Sequence, residues 1–387
     1  MGGDLRRDEW PARSVPILDV ADLPLCSPLA EGFMYQPTRL GGALTVFVGV
    51  ALVAGQQEPT HTLRREHVVA DVERPTQAQL NSDRVVLGHS RPYVTIVTLA
   101  GEVRWVGQAG DGPGELRSAR YAGFLGDSVW VGDSRHRRVT VFPPNGTPTV
   151  HSATLEGWAF MPLAYFGDGL VLGTADSPTG AGLFTAQRGR TAQIAVIKPI
   201  TYLTVEFGGG SGGPAMRMAH PLDTSTLVGF DSQRQRVITV DRSEADGFRV
   251  AWMDANGASV LSRTYDVTPR RFSSDFANSL ADQWWDIYST ASAPVSRDLF
   301  RRSFIRAIGS PRYIPPVRSL MVANSGELWV ETGFWPGESS VWTVISTSGE
   351  IMATLELPLG KRLLSADGSG VLVLEDDTQL VLYRLTG

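Results

Sequence analysis

Apolar and polar residues alternate along most of this chain in short runs, each closed by Gly, Asp, Asn or Ser. A period of two sends successive side chains to opposite faces, so these runs predict strands joined by tight turns. Two of them align closely. Ser128–Phe142 (SVWVGDSRHRRVTVF) and Thr226–Val240 (TLVGFDSQRQRVITV) share an order: an apolar strand, Asp-Ser, polar residues, then Arg138 or Arg236 and a second apolar strand. Arg84–Val97 (RVVLGHSRPYVTIV) is a looser copy with His89 in place of the Asp. This alignment puts Asp133 and Asp231 at equivalent positions. Further turns are expected at Ala100-Gly101, Asn145-Gly146, Asn256-Gly257 and Ser348-Gly349, each followed by another strand. Asn-Gly is a strong hairpin signal because both central residues of the turn take positive φ.

A repeated unit of short strands predicts the blades of a β-propeller. Units fall near 76–110, 119–157, 160–208, 222–268, 313–357 and 358–387, the third being the least regular. The last has residues for about three strands, so Leu63–Val72 is expected to supply a fourth and close the ring. Closure matters because an open sheet edge leaves backbone groups unpaired. The expected fold is therefore an all-β, six-bladed β-propeller. A two-layered sandwich would explain the strands but not their repetition. Between blades 4 and 5, 273–309 loses the period of two. Phe276, Leu280, Trp284 and Ile287 or Tyr288 share one helical face, and Phe300, Phe304 and Ile308 share another. Ser274 or Ser296 is expected to cap a helix start, with Gly309 and Pro311 ending the second helix.

With these features the chain resembles bacterial six-bladed β-propeller proteins related to NHL-repeat domains. The resemblance rests on four stretches: Gly107–Leu116 (GQAGDGPGEL), the Val131–Val139 strand pair, the helical insert with Tyr313-Ile314-Pro315-Pro316 and Gly326–Val330 (GELWV), and the final Leu380–Leu385 strand. It covers roughly residues 62–387 and implies the fold together with an exported or envelope location.

Composition narrows the function classes. Net charge is −5, from 35 Lys and Arg against 40 Asp and Glu, a balance that gives no electrostatic reason to expect nucleic-acid binding. The single cysteine, Cys26, excludes a disulfide framework and a thiolate metal site downstream. Leu40–Ala54 is apolar and uncharged, follows Arg39 and exits through Val53-Ala54-Gly55. That order describes a secretory leader. Residues 34–55 are thus expected to be a signal peptide starting at Met34, or an uncleaved membrane anchor, with 1–33 an over-extended or disordered start and 56–387 the propeller. The mature protein is expected in the periplasm or outside the cell, as a monomer.

Candidate sites are few. Gly107–Leu116 lacks the Lys-Ser/Thr of a phosphate loop, and Pro113 removes a donor, so it is expected to link two blades. Gly209–Gly213 matches GxSxG, but Gly-Pro rather than a helix follows it. Asp133 and Asp231 could face the axial channel and hold Ca2+, or accept backbone N–H bonds in their turns and pair with the Arg that follows. His89 and His220 could reach the channel as a base, and Trp335 could stack on a ligand. The expected function is a non-catalytic scaffold that binds a protein, peptide or glycan through loops such as 173–192, 207–221 and 273–312. The alternative is a hydrolase or lyase with a divalent cation in the channel.

Overall fold

The computed structural model describes residues 18–19, 62–72, 75–152, 160–177, 180–207, 215–288, 295–333, 336–367, 370–376 and 378–386. Six four-stranded antiparallel sheets follow one another in chain order, making a six-bladed β-propeller. In each blade the first strand is innermost. Blade 1 comprises 77–81, 84–88, 94–98 and 103–106; blade 2 comprises 121–125, 128–133, 138–142 and 149–152. Blade 3 is regular after all, with strands at 161–165, 171–177, 180–187 and 190–197, so 173–177, 180–187 and 190–192 of the expected loop are strand. Blade 4 uses 227–231, 236–241, 247–254 and 259–266, and blade 5 uses 320–322, 328–333, 340–345 and 351–357.

Blade 6 closes the ring. Its strands 361–366, 370–375 and 379–386 come from the end of the chain, and Thr62–Asp71 pairs with the last of them from Thr62↔Thr386 to Asp71↔Gln379. The expected closing strand is there. Val69 is buried beside Leu380 and Leu382, so apolar packing as well as hydrogen bonding holds the seam. The predicted Gly turns also hold, with positive φ at the glycine and not at Asn145 or Asn256: Gly101, Gly146, Gly257 and Gly349 join third to fourth strands with φ of 92°, 128°, 84° and 83°. At Gly257 a Cβ would meet the Ile194 carbonyl oxygen of blade 3 at 2.8 Å, so shape and backbone both require glycine there.

The repeat alignment needs one correction. Ser128–Phe142 spans the second and third strands of blade 2, whereas Thr226–Val240 spans the first and second strands of blade 4. Asp133 and Asp231 are therefore not equivalent. Strands alternate in direction, so Asp133 ends a strand at the end of the ring where first strands begin, and Asp231 ends one at the opposite end. His89, just after the second strand of blade 1, is the true counterpart of Asp133.

Two insertions interrupt the regular course. Between blades 3 and 4 a hairpin pairs Tyr202–Glu206, expected at the end of the third blade, with Ala215–Ala219, expected as loop. Between blades 4 and 5 lie α1 (Ser274–Tyr288) and α2 (Arg297–Ile308), as the helical period predicts. Ser296 caps α2 by accepting from the Leu299 N–H, and Gly309 ends it at φ 76°. The cap of α1 is Ser273 rather than Ser274: its Oγ accepts from the Phe276 N–H at 3.1 Å. Both insertions occupy connections from an outer strand to the next inner strand. With four strands per blade, all such connections emerge at the same end of the ring. The hairpin and helices consequently meet over one mouth of the channel.

They bury a core of their own. Leu203, Val205 and Met218 of the hairpin pack on Phe276, Leu280, Trp284, Phe300, Phe304 and Ile308 of the helices. Each such side chain contributes about 1.5–3 kcal/mol through burial. The aromatic helical faces thus close a cap, and Trp284 is core.

Candidate functional site

Under the cap lies a cavity of about 670 Å³. Its walls are the first turns of the inner strands: Gln77 and Gln79 of blade 1, Met161 and Leu163 of blade 3, Leu227 of blade 4 and Leu320 of blade 5 among them. Its roof comes from the two insertions, including Tyr202, Arg217 and Trp284. Concave, mainly apolar spaces of 300–1,000 Å³ with a few polar groups are the usual form of a small-ligand site.

The polar groups in this cavity are strongly one-sided. Lys198, Arg217, Arg242, Arg270, Arg318 and Arg362 line it, against the carboxylates of Asp223 and Glu331. Over the whole chain acids outnumber bases. At the far end every turn between first and second strands carries an acid: Asp83, Asp127, Asp168, Asp231, Glu327 and Asp367, of which Asp127 and Asp231 pair with Arg84 and Arg234. Side chains also bridge the blades at that end. Gln233 Nε2 donates to Asn324 Oδ1 at 2.9 Å, and Asn324 Nδ2 donates to Asn81 Oδ1 at 3.4 Å.

The six cations do different things. Arg242 is buried and donates to the carbonyl oxygens of Ser225 (3.0 Å), Val317 (2.9 Å) and Arg318 (3.0 Å). Asp223 lies 3.6 Å from its guanidinium, and burial pushes Arg242 down to about 10. Arg318 is paired with Glu331 at 3.2 Å, and that carboxylate also accepts from Ser319 Oγ at 2.7 Å. Burial lowers Arg318 as well, with Glu331 opposing the shift. Arg362 donates to the Pro75 carbonyl oxygen at 2.7 Å, and Arg270 sits 3.9 Å from Glu338. Lys198 and Arg217 stay exposed at the lip. Lys198 donates to Thr224 Oγ1, and Arg217 lies over the Tyr202 ring at 4.7 Å.

The titratable groups facing the cavity are held by their neighbours. His220 Nδ1 accepts from the Leu222 N–H at 3.1 Å, and the ring also hydrogen-bonds the Ile308 backbone. Burial lowers its pKa, while the Ile308 bond and Asp223 act the other way. Asp223 accepts from the Thr201 N–H and hydroxyl at 3.1 and 2.7 Å.

Of the candidate site residues that lie among the described residues, Asp133, Asp231, His89 and His220, the structure brings His220 alone to this cavity. Asp133 is fully buried in its turn, where it accepts from the N–H groups of Arg117 (2.7 Å), Arg135 (3.0 Å) and His136 (3.1 Å). Asp231 likewise accepts from the Gln233 and Arg234 N–H groups. The turn role holds, but the paired side chain differs. Asp133 meets His136 Nδ1 at 2.8 Å and Asp231 meets Arg234 at 2.9 Å, both three residues on, instead of Arg138 and Arg236. Arg138 donates instead to the carbonyl oxygens of Asp111, Gly112 and Glu115, fastening the Gly107–Leu116 link between blades 1 and 2. His89 is buried, its Nε2 2.9 Å from Thr95 Oγ1. Trp335 and the GxSxG run lie outside the described residues.

Asp133 and His89 thus stand at one end of the ring and Asp168, Asp231, Glu327 and Asp367 at the other. Among the described residues no three His, Cys, Asp or Glu side chains are grouped as metal ligands. Sequence reasoning missed the cavity cations. The signal was the length of two inter-blade connections, 198–226 and 267–319, which carry Lys198, Arg217, Arg270 and Arg318.

No protein-family model matches this chain, and no curated protein sequence matches it. Solved structures resemble it in fold at low identity. A DUF4221 family member from Bacteroides vulgatus is 11% identical, with a TM-score of 0.49 over 85% of this chain and 99% of that one. Virginiamycin B lyase from Staphylococcus aureus with quinupristin is 8% identical, with a TM-score of 0.43 over 84% and 100%. A protein from Bacteroides fragilis described as exported is 10% identical, with a TM-score of 0.43 over 84% and 94%. The class defined here, a six-bladed β-propeller with a capped channel mouth, rests on its own strand pairing.

Proposed function

We propose that this propeller is an exported, non-catalytic binding protein that takes its ligand at the capped mouth of the axial channel. One observation carries the reading: two insertions from adjacent inter-blade connections fold together over that mouth and leave a 670 Å³ space lined by all the inner walls named above. A scaffold with no ligand would have no need of a roof with a separate aromatic core. Support for a non-catalytic role comes from Asp223, Glu331 and His220, each engaged by neighbouring donors or acceptors. A general base has to reach a substrate proton. The volume suits a small molecule, or a short peptide or glycan segment, better than a protein surface. Export rests on the leader-like order of Arg39, Leu40–Ala54 and Val53-Ala54-Gly55. Among the described residues no helix is long and apolar enough to cross a membrane.

Native mass spectrometry of protein isolated from an envelope fraction tests the binding role. The expected result is an added mass that denaturation releases and that Leu163→Trp, which fills the cavity, prevents. An unloaded protein, or equal loading of the variant, would overturn it. Amino-terminal sequencing of the same material tests export, and an intact Met1 on a cytoplasmic product would remove it.

A further inference from the structure

The cavity has two populations of cation, and they differ in what neutralises them. Arg242 and Arg318 face the two carboxylates of the lining, Asp223 and Glu331, and donate to cap and blade backbone or side chains. Their charge is spent on holding the cap to blades 4 and 5. At the lip, Lys198 and Arg217 meet only a hydroxyl and an aromatic ring, and among the described residues no carboxylate forms an ion pair with either. They come from different elements: Lys198 follows the last strand of blade 3, and Arg217 lies in the cap hairpin. Both line the same cavity and both are exposed, so an anion that enters can meet either charge. Low-dielectric walls then focus the positive potential into the opening.

The surface behind them is apolar. Met161, Leu163, Leu227 and Leu320 line the wall, and Gln77 and Gln79 supply neutral donors and acceptors. Two carboxylates, Asp223 and Glu331, share the lining with the six cations, and both are engaged by neighbours. The cavity lining is therefore cationic, six bases against two acids, although the chain's net charge is −5.

We infer that the capped cavity takes a small amphipathic oxyanion, an organic carboxylate or phosphate ester. Its head meets Arg217 and Lys198, and its apolar body lies along Met161, Leu163, Leu227 and Leu320. This rests on the binding role proposed above and specifies its ligand class. Arginine suits either head, because its planar fork can bond two oxygens at once, while lysine adds a point charge. Without the apolar wall the lip would hold any anion weakly in water. Without the cations the wall would hold neutral and charged amphiphiles alike.

Four probes with the same eight-carbon tail separate these terms by calorimetry at low salt: octanoate, octyl phosphate, octyl glucoside and octyltrimethylammonium. Octanoate and octyl phosphate are expected to bind, their ratio reporting which head is preferred. Their affinity should fall as salt rises. Arg217→Ala and Lys198→Ala should each weaken them about tenfold, as expected for one charge-assisted contact. The melting temperature of the free protein should stay unchanged, since both side chains are exposed. Equal binding of all four probes, indifferent to Arg217→Ala but lost in Leu163→Trp, would overturn the anion preference and leave the binding role standing. If no probe binds, the inference fails, and the native mass measurement decides the binding role separately.

Discussion

Arg242 Nη1 donates to the carbonyl oxygen of Val317 at 2.9 Å, joining the residue just after the second strand of blade 4 to the lead-in of blade 5 across 75 residues of chain that include both helices. The same guanidinium reaches the Ser225 and Arg318 carbonyls, so one side chain pins both roots of the cap.

Arg242→Met should therefore destabilise the protein by about 3–5 kcal/mol, because it strands Asp223 and several buried carbonyls rather than removing one bond. Arg242→Lys should recover only part of that loss, since an ammonium cannot span three acceptors set apart by a guanidinium's width. Urea unfolding at neutral pH measures both. Equal stability of the Met variant and the parent would refute the pinning role.

Asp133→Ala removes an acceptor from the N–H groups of Arg117, Arg135 and His136 at a fully buried site. The expected loss is about 3 kcal/mol or more. Ligand binding at the cavity should be unaffected once the variant is folded. A binding defect without a stability defect would return Asp133 to the list of site residues.

Val69→Asp places a carboxylate in the apolar seam of blade 6, beside Leu380 and Leu382. The closing strand should detach at a cost of about 3 kcal/mol or more, leaving 379–386 as an open edge. Aggregation on heating, seen by light scattering well below the parent's transition, is the expected readout.

His220 gives the cap a pH dependence. Burial holds its folded-state pKa below the ordinary 6.5, and its Nδ1 must be unprotonated to accept from Leu222. The unfolded chain therefore takes up the proton first as pH falls. Stability is full above about 6.5 and is lost as pH drops toward the folded-state value. His151 is also lowered by burial and contributes independently. His220→Asn, whose Oδ1 can still accept from Leu222, should show a smaller drop in melting temperature between pH 7.5 and 5.5. An unchanged drop would exclude His220 as a source.

The local pattern of this chain determined a good deal. Alternating apolar runs set out most of the strands, the four Gly turns needed φ values open to glycine, and the periods of Phe276–Trp284 and Phe300–Ile308 marked two helices. These are near-neighbour effects, legible wherever backbone geometry dictates residue type. Closure by Thr62–Asp71 was also readable, because a three-stranded last unit leaves an edge that something must cover.

Position within the ring was not readable in the same way. Asp133 and Asp231 sit in nearly identical sequences because any two strands joined by an Asp turn demand the same residues, whichever strands of a blade they are. Only packing against neighbouring blades decides which strand is innermost, and hence which end of the channel each Asp faces. The cavity is of the same kind. Lys198, Arg217, Arg242, Arg270, Arg318 and Arg362 are scattered over 165 positions and share no motif. They converge because even-stranded blades return every outer-to-inner connection to one end, a property of the closed ring and of no segment within it.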